Sequence, residues 1–270
     1  MARVVKLSTV TPNRDDWTIF VKVSKRWDTL DVENGEGLSF LFIDDEGTKI
    51  HAFVEKDDQI RRFKRLLQEG DWKTISALSV KVVETEIRLT KQRKVIALTS
   101  NTQVAEADDL DSFIPLDLIP FKDVKDESVH DGTSYPRDFL GVIASVKNYD
   151  LSEDPTLPRN IWNTSPKTTP KIDFVLEDND GNVLNCRAKG ALAVKFKNYW
   201  LNFGQTGTLI CLLTDWRVVG TDGEIQVEDA GGISTFEIDP TGHEEVEHFT
   251  NILCHVYEDS EEGEDYQWMF

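Results

Sequence analysis

The side chains of this sequence that could do chemistry are cations, carboxylates and aromatic rings rather than nucleophiles. Arg88, Lys91, Arg93 and Lys94 form a dense basic run. Lys22, Lys25 and Arg26 form a second, and Arg61, Arg62, Lys64 and Arg65 a third that reads as the solvated face of a helix. Such clusters can meet phosphates or carboxylates but do not by themselves make or break bonds. No G-x-S-x-G, G-x-x-x-x-G-K-[ST], H-E-x-x-H or G-x-G-x-x-G occurs, so no strained nucleophile elbow, phosphate cradle, zinc helix or dinucleotide turn is indicated. The carboxylates are many but form no recognisable acid/base pair, and an enzyme is not expected. Cys186, Cys211 and Cys254 are odd in number and far apart, with no C-x-x-C; neither a disulfide framework nor a cysteine zinc ribbon follows. His243, His248 and His255 lie in a polar, acidic stretch and read as solvated. Neither a metal nor a cofactor is expected.

The formal net charge of −19 argues against nucleic acid only until it is located. Residues 237–270 hold 11 of the 49 acidic residues and none of the 30 basic ones. The rest of the chain is mildly acidic, which leaves room for a basic face. The run Glu258–Asp265 followed by Tyr266-Gln267-Trp268-Met269-Phe270 has the composition of a protein-binding tail. No apolar run approaches the ~20 residues of a membrane helix, and no secretory leader is visible, so a membrane is not expected as a partner.

The elements that must position the basic runs come in two copies. Phe42-Ile43-Asp44-Asp45-Glu46-Gly47-Thr48-Lys49-Ile50 parallels Leu176-Glu177-Asp178-Asn179-Asp180-Gly181-Asn182-Val183-Leu184, a strand, an Asp/Gly turn and a strand. Gly70 and Gly204 follow at the same offset of 134 residues that separates Gly47 from Gly181. Strands open each copy at Asp16–Val23 and Asp138–Val146. Apolar residues at helical spacing predict a helix over 58–67, through Ile60, Phe63 and Leu67, and another near 191–199, through Leu192 and Phe196. Five strands with a helix between the third and fourth is the order of an OB-fold. The expected fold class is therefore all-β with short helices: OB-fold 1 over residues 1–104, a linker over 105–134, OB-fold 2 over 135–240 and an acidic tail over 241–270. The apolar piece Phe113–Phe121 is expected to pack on a barrel. The Pro-rich stretch 152–170 is expected as an irregular loop between the first two strands of the second copy.

The runs Trp17–Trp27, Phe40–Val54, Leu67–Ile75 and Tyr135–Ile143, in that order, resemble the replication protein A large-subunit-like family of plants, including its transposon-borne members. The resemblance covers roughly residues 1–215. It implies tandem OB-folds that bind single-stranded DNA in the nucleus, with RNA as the other strand type, by stacking bases on aromatic rings at ~1–3 kcal/mol each while cations meet phosphates. Trp27 and Phe53 stand where that family has stacking aromatics. Lys25, Arg26, Arg88, Lys91, Arg93 and Lys94 are then expected at phosphates, and Trp17, Trp72 and Trp216 in the core. The second copy departs from the family: Lys189 stands where a stacking Trp is usual. The alternative expectation is an OB-fold scaffold in a nuclear DNA-maintenance or chromatin complex, binding proteins through the second barrel or the acidic tail and little nucleic acid.

Overall fold

The computed structural model describes residues 3–31, 35–85, 88–110, 115–124, 135–153, 168–204, 207–221 and 224–253. The acidic run 258–270, most of the Pro-rich stretch and residues 111–114 and 125–134 of the expected linker lie outside the described residues. The first unit runs through β1 (Val4–Val5), β2 (Trp17–Asp31), β3 (Gly35–Ile43), β4 (Lys49–Val54), α1 (Ile60–Leu66), β5 (Trp72–Val82), β6 (Lys94–Leu98) and β7 (Gln103–Glu106). Then come α2 (Phe121–Val124), β8 (Arg137–Glu153), β9 (Thr168–Glu177), β10 (Val183–Lys189), α3 (Gly190–Phe203), β11 (Ile210–Thr221), β12 (Glu224–Asp229) and β13 (Thr235–Ile238). A last helix, α4, covers residues 244–253.

Each sheet closes on itself. In the first the order is β2-β3-β4-β6-β5, with β5 pairing back to β2; in the second it is β8-β9-β10-β12-β11, with β11 pairing back to β8. Only β4–β6 and β10–β12 are parallel among these barrel pairs. A helix sits between the third and fourth strand of both, so these are two OB barrels in tandem, as the repeat predicts. Closure matters physically because it leaves no unpaired strand edge within the ring.

Local chemistry explains the elements. In β4, Ile50, Ala52 and Val54 point inward and alternate with the half-buried Lys49, His51 and Phe53. The core of the first barrel joins them to Ile19, Val21, Val23, Phe40, Phe42, Phe63 and Ile96. That of the second is built on Phe174, Cys186, Phe196, Leu213, Trp216 and Val227. Phe196 of α3 stacks on Phe174 with ring centroids 4.2 Å apart. Burying a side chain of this size is worth about 1.5–3 kcal/mol. Trp17, Trp72 and Trp216 are all buried.

The repeat extends to hydrogen bonds that no sequence comparison displays. Asp44 Oδ1 accepts from the N–H groups of Glu46 (3.2 Å) and Thr48 (2.8 Å); Asp178 Oδ1 accepts from those of Asp180 (3.0 Å) and Asn182 (2.8 Å). Gly47 and Gly181 close these turns at φ of 79° and 77°, a region that costs a residue with a Cβ roughly 1–2 kcal/mol. Both barrels also carry a bulge on the fourth strand whose extra residue is left-handed: Ala77 (φ 57°) and Asp215 (φ 60°). The carbonyl of each accepts a hydroxyl hydrogen bond, from Thr102 at 3.0 Å and from Ser234 at 2.6 Å.

The second unit reaches beyond its strands. Ile119, Phe121 and Val124, from the stretch expected to link the copies, are part of its core, so the apolar piece packs on a barrel as expected. Val246 and Phe249 of α4 are buried with Leu140 and Leu212. Strands β8 and β9 also run further into the Pro-rich stretch than expected, with Pro170 paired to Leu151.

Candidate nucleic-acid interface

One lateral row of residues crosses the outer face of the first barrel. Trp27 of β2 lies opposite Ser39 of β3, Ser39 opposite Phe53 of β4, Phe53 opposite Ala97 of β6, and Ala97 opposite Ser79 of β5. The neighbouring row on the same face is Lys25, Leu41, His51, Val95 and Lys81. Paired residues point to the same side of a sheet, so these two rows form one surface. Three of its rings adjoin. The Trp27 and His51 rings stack with centroids 5.7 Å apart and planes 21° from parallel; His51 and Phe53 stand 6.2 Å apart at 38°. All three are partly exposed.

His51 faces Ser39 Oγ with its Nε2 at 3.3 Å. Burial pushes the imidazole down to a pKa of about 4, so it is neutral at physiological pH. The cations stand at the ends of this surface. Lys25 is at one end. At the other, Lys81 Nζ lies 5.4 Å from the Phe53 ring centroid, within cation–π reach, and 2.8 Å from Glu55 Oε1.

Strict alternation along β2 would turn Trp27 inward, since Val21 and Val23 are buried. A bulge at Ser24 shifts the pairing between Val23 and Lys25 and inverts the strand. Lys25 and Trp27 thereby face outward, and Arg26 faces the other way. Arg26, expected at a phosphate, is engaged within the barrel. Its Nη1 donates to the carbonyls of Lys64 (2.9 Å) and Leu67 (3.3 Å) and to Gln68 Oε1 (3.0 Å), at the C-terminal end of α1. Carbonyls there lack helical partners and attract a cation. Lys94 is engaged likewise: its ammonium donates to the carbonyls of Val10 (2.7 Å) and Ser8 (3.3 Å).

The turn between β5 and β6 is held by Val83 N–H donating to Arg93 C=O at 2.9 Å. Lys91 and Arg93 are exposed on it. Arg88 is only 8% exposed, and its Nη1 donates to the Lys91 carbonyl at 3.3 Å, so it shapes the turn from within. Of the helix cluster, Arg62 donates to the Thr102 carbonyl at 2.6 Å and Lys64 pairs with Asp28 at 2.6 Å.

Two members of the surface escape a reading for motifs. His51 was accessible to the alternation rule, being two residues before Phe53 on one strand. Lys81 reaches Phe53 only through the pairing of β5 with β6 and of β6 with β4.

The second barrel carries different chemistry at the same register. The 134-residue offset maps Ser39 and Phe53 onto Asp173 and Arg187, which are themselves directly opposed. The Arg187 guanidinium holds the Asp173 carboxylate through Nε (2.7 Å) and Nη2 (3.0 Å), and its Nη1 lies 3.6 Å from Glu228 Oε1. Lys189 pairs with the same Glu228. An ion-paired lattice occupies the position of the ring.

Comparison with known proteins is consistent with this architecture. The family model described as "Domain of unknown function DUF223" matches residues 8–127. A 70 kDa DNA-binding subunit of replication protein A from Arabidopsis thaliana is 27% identical over 180 residues, covering 65% of this chain and 27% of the relative. A second 70 kDa DNA-binding subunit of replication protein A from the same plant is 26% identical over 180 residues, covering 65% and 28%. The chain thus spans about a quarter of the length of these relatives. A solved structure of a replication protein A heterotrimer bound to ssDNA superposes with a TM-score of 0.59 at 18% identity, covering 92% of this chain and 54% of that one. At that identity the likeness speaks for the fold.

Proposed function

We propose that this chain, which belongs to the replication protein A large-subunit-like family, binds single-stranded DNA in the nucleus on the outer face of its first barrel, without catalysis. The observation that carries the reading is the set of adjoining rings Trp27, His51 and Phe53, from two neighbouring rows of a surface with cations at its ends. Every base has a flat face, so stacking on Trp27 and Phe53 tolerates any sequence, while Lys25, Lys91 and Arg93 meet the backbone. Arg88 supports the turn that carries two of those cations. Arg26 and Lys94 are not part of the proposed interface, because their charges serve backbone carbonyls of the barrel. The names of the relatives and of the similar heterotrimer point to the same ligand.

The test is a fluorescence-anisotropy titration with poly-dT at 50 and 200 mM salt. Saturable binding that weakens at the higher salt is expected, since each phosphate contact releases counterions. Absence of binding at low salt would overturn the reading. It would favour the second one, an OB-fold scaffold for protein partners, which the ion-paired face of the second barrel supports.

A further inference from the structure

Beside the ring row lies a cleft of ≈ 420 Å³ between β4 and the turn that joins β5 to β6. His51 and Phe53 belong to both the row and the cleft wall. The remaining wall is largely apolar, with Val82, Leu89 and Val95, and the buried Arg88 borders it. We infer that this cleft takes one nucleobase splayed out of a bound single strand, with Phe53 and His51 at its mouth. The inference rests on the proposed single-strand binding and adds to it a site for one particular nucleotide.

Size, polarity and continuity support it. The volume is in the range of small-ligand pockets, well above what a single water fills. Apolar walls suit a base face. Single-stranded recognition commonly takes a base out of the stack and sets it against an aromatic ring or a guanidinium plane. Glu84 also lines the cleft, and its carboxylate disfavours a phosphate inside. The one lysine in the lining, Lys81, is paired with Glu55, and the backbone is left to Lys91 and Arg93 outside the cleft. His51, neutral through burial and with Nε2 facing Ser39 Oγ, leaves its other ring nitrogen for a base edge and brings no charge. Val82 is 59% exposed at the end of β5, an apolar side chain left in water at the rim of the cleft. It can be enlarged without disturbing the core.

The test crosses Val82→Phe, which fills the cleft, with an abasic scan. Each position of a (dT)12 oligonucleotide is replaced in turn by an abasic site, and affinity is measured for the wild-type protein and the variant. In the wild type one position should stand out by roughly tenfold, beyond the general loss of a stacked base. Val82→Phe should bind the intact oligonucleotide about tenfold more weakly, and the special penalty should vanish in it. Equal binding of the intact oligonucleotide by both proteins would overturn the inference while leaving the ring platform standing. So would an unchanged abasic profile. Thymidine monophosphate at millimolar concentration is the second arm. If it binds wild type but not Val82→Phe and yet leaves oligonucleotide affinity unchanged, the cleft takes a free nucleotide and the splayed base is wrong; displacement from wild type alone is the expected result. Failure of the wild type to bind any oligonucleotide would remove both readings together.

Discussion

The outer faces of the two barrels share a backbone and differ in chemistry. Hairpin, bulge and hydroxyl-capped carbonyl recur at matching places, yet Ser39 and Phe53 in one barrel become Asp173 and Arg187 in the other. In the first, rings lie beside one another with their cations at the margin. In the second, opposite charges face each other across the same pair of strands, with Asp173 and Arg187 each about one-third exposed. An aromatic face is indifferent to which base covers it. A carboxylate already held by a bidentate guanidinium leaves little for a phosphate to gain, because the incoming anion must displace a fixed one. The same fold thus presents adjoining rings in one copy and ion-paired side chains in the other, and activity has to be read from the site rather than the fold.

Side-chain truncation at the equivalent positions gives the largest separation. Phe53→Ala or Trp27→Ala should each weaken poly-dT binding by about 1–3 kcal/mol, roughly 5- to 150-fold. Arg187→Ala should leave affinity within about twofold. If Arg187→Ala proved as damaging as Phe53→Ala in the same titration, the two faces would be functionally alike and the contrast would collapse.

The next effect is on stability and pH. His51 is buried neutral with a folded pKa near 4, against 6.5 for the free side chain. As pH falls from 6.5 towards 4 the unfolded chain takes up a proton that the folded ring refuses, so stability falls on acidification. The loss should be roughly 2 kcal/mol, somewhat below the full shift because the ring is only partly buried. The second barrel has Asn185 at the corresponding position. His51→Asn should flatten this part of the pH profile in urea melts, and an unchanged slope would mean that another group is responsible.

The smallest effect is electrostatic. Lys91→Ala should reduce the slope of log affinity against log salt by about 0.7, the value for one phosphate contact on a single strand. Lys94→Ala, whose charge serves the Val10 and Ser8 carbonyls, should leave the slope unchanged. Equal slope changes for both variants would place Lys94 back at the interface.

Much of the architecture was legible in the sequence. The two hairpins could be seen because turn chemistry is local: Asp44 and Asp178 bond N–H groups two and four residues on, and Gly47 and Gly181 supply positive φ. The two helices could be seen because Phe63 and Phe196 lie on apolar faces of regular period. The site was legible only in outline. Trp27 and Phe53 were identified, and the structure brings them to one surface. Their basic neighbours were taken from their place on strand one and on the turn between the last two strands, and the structure engages Arg26 and Lys94 with backbone carbonyls instead of leaving them on that surface.

What the sequence determined alone is therefore the repeat and the five-strand order, set by local turn and strand patterns; Trp27 and Phe53 came from the family resemblance, and His51 was missed. Tertiary structure decided which charges accompany those rings. A one-residue bulge at Ser24, invisible in a strand of mixed composition, turns Lys25 and Trp27 out and Arg26 in. Lys81 and the cleft beneath it exist only because β6 pairs with both β4 and β5, bringing Lys81 beside Phe53 from 28 residues away along the chain. In the second barrel the decisive fact is likewise a pairing: Arg187 meets Asp173 because register sets them opposite, and opposite charges held at hydrogen-bonding distance satisfy each other.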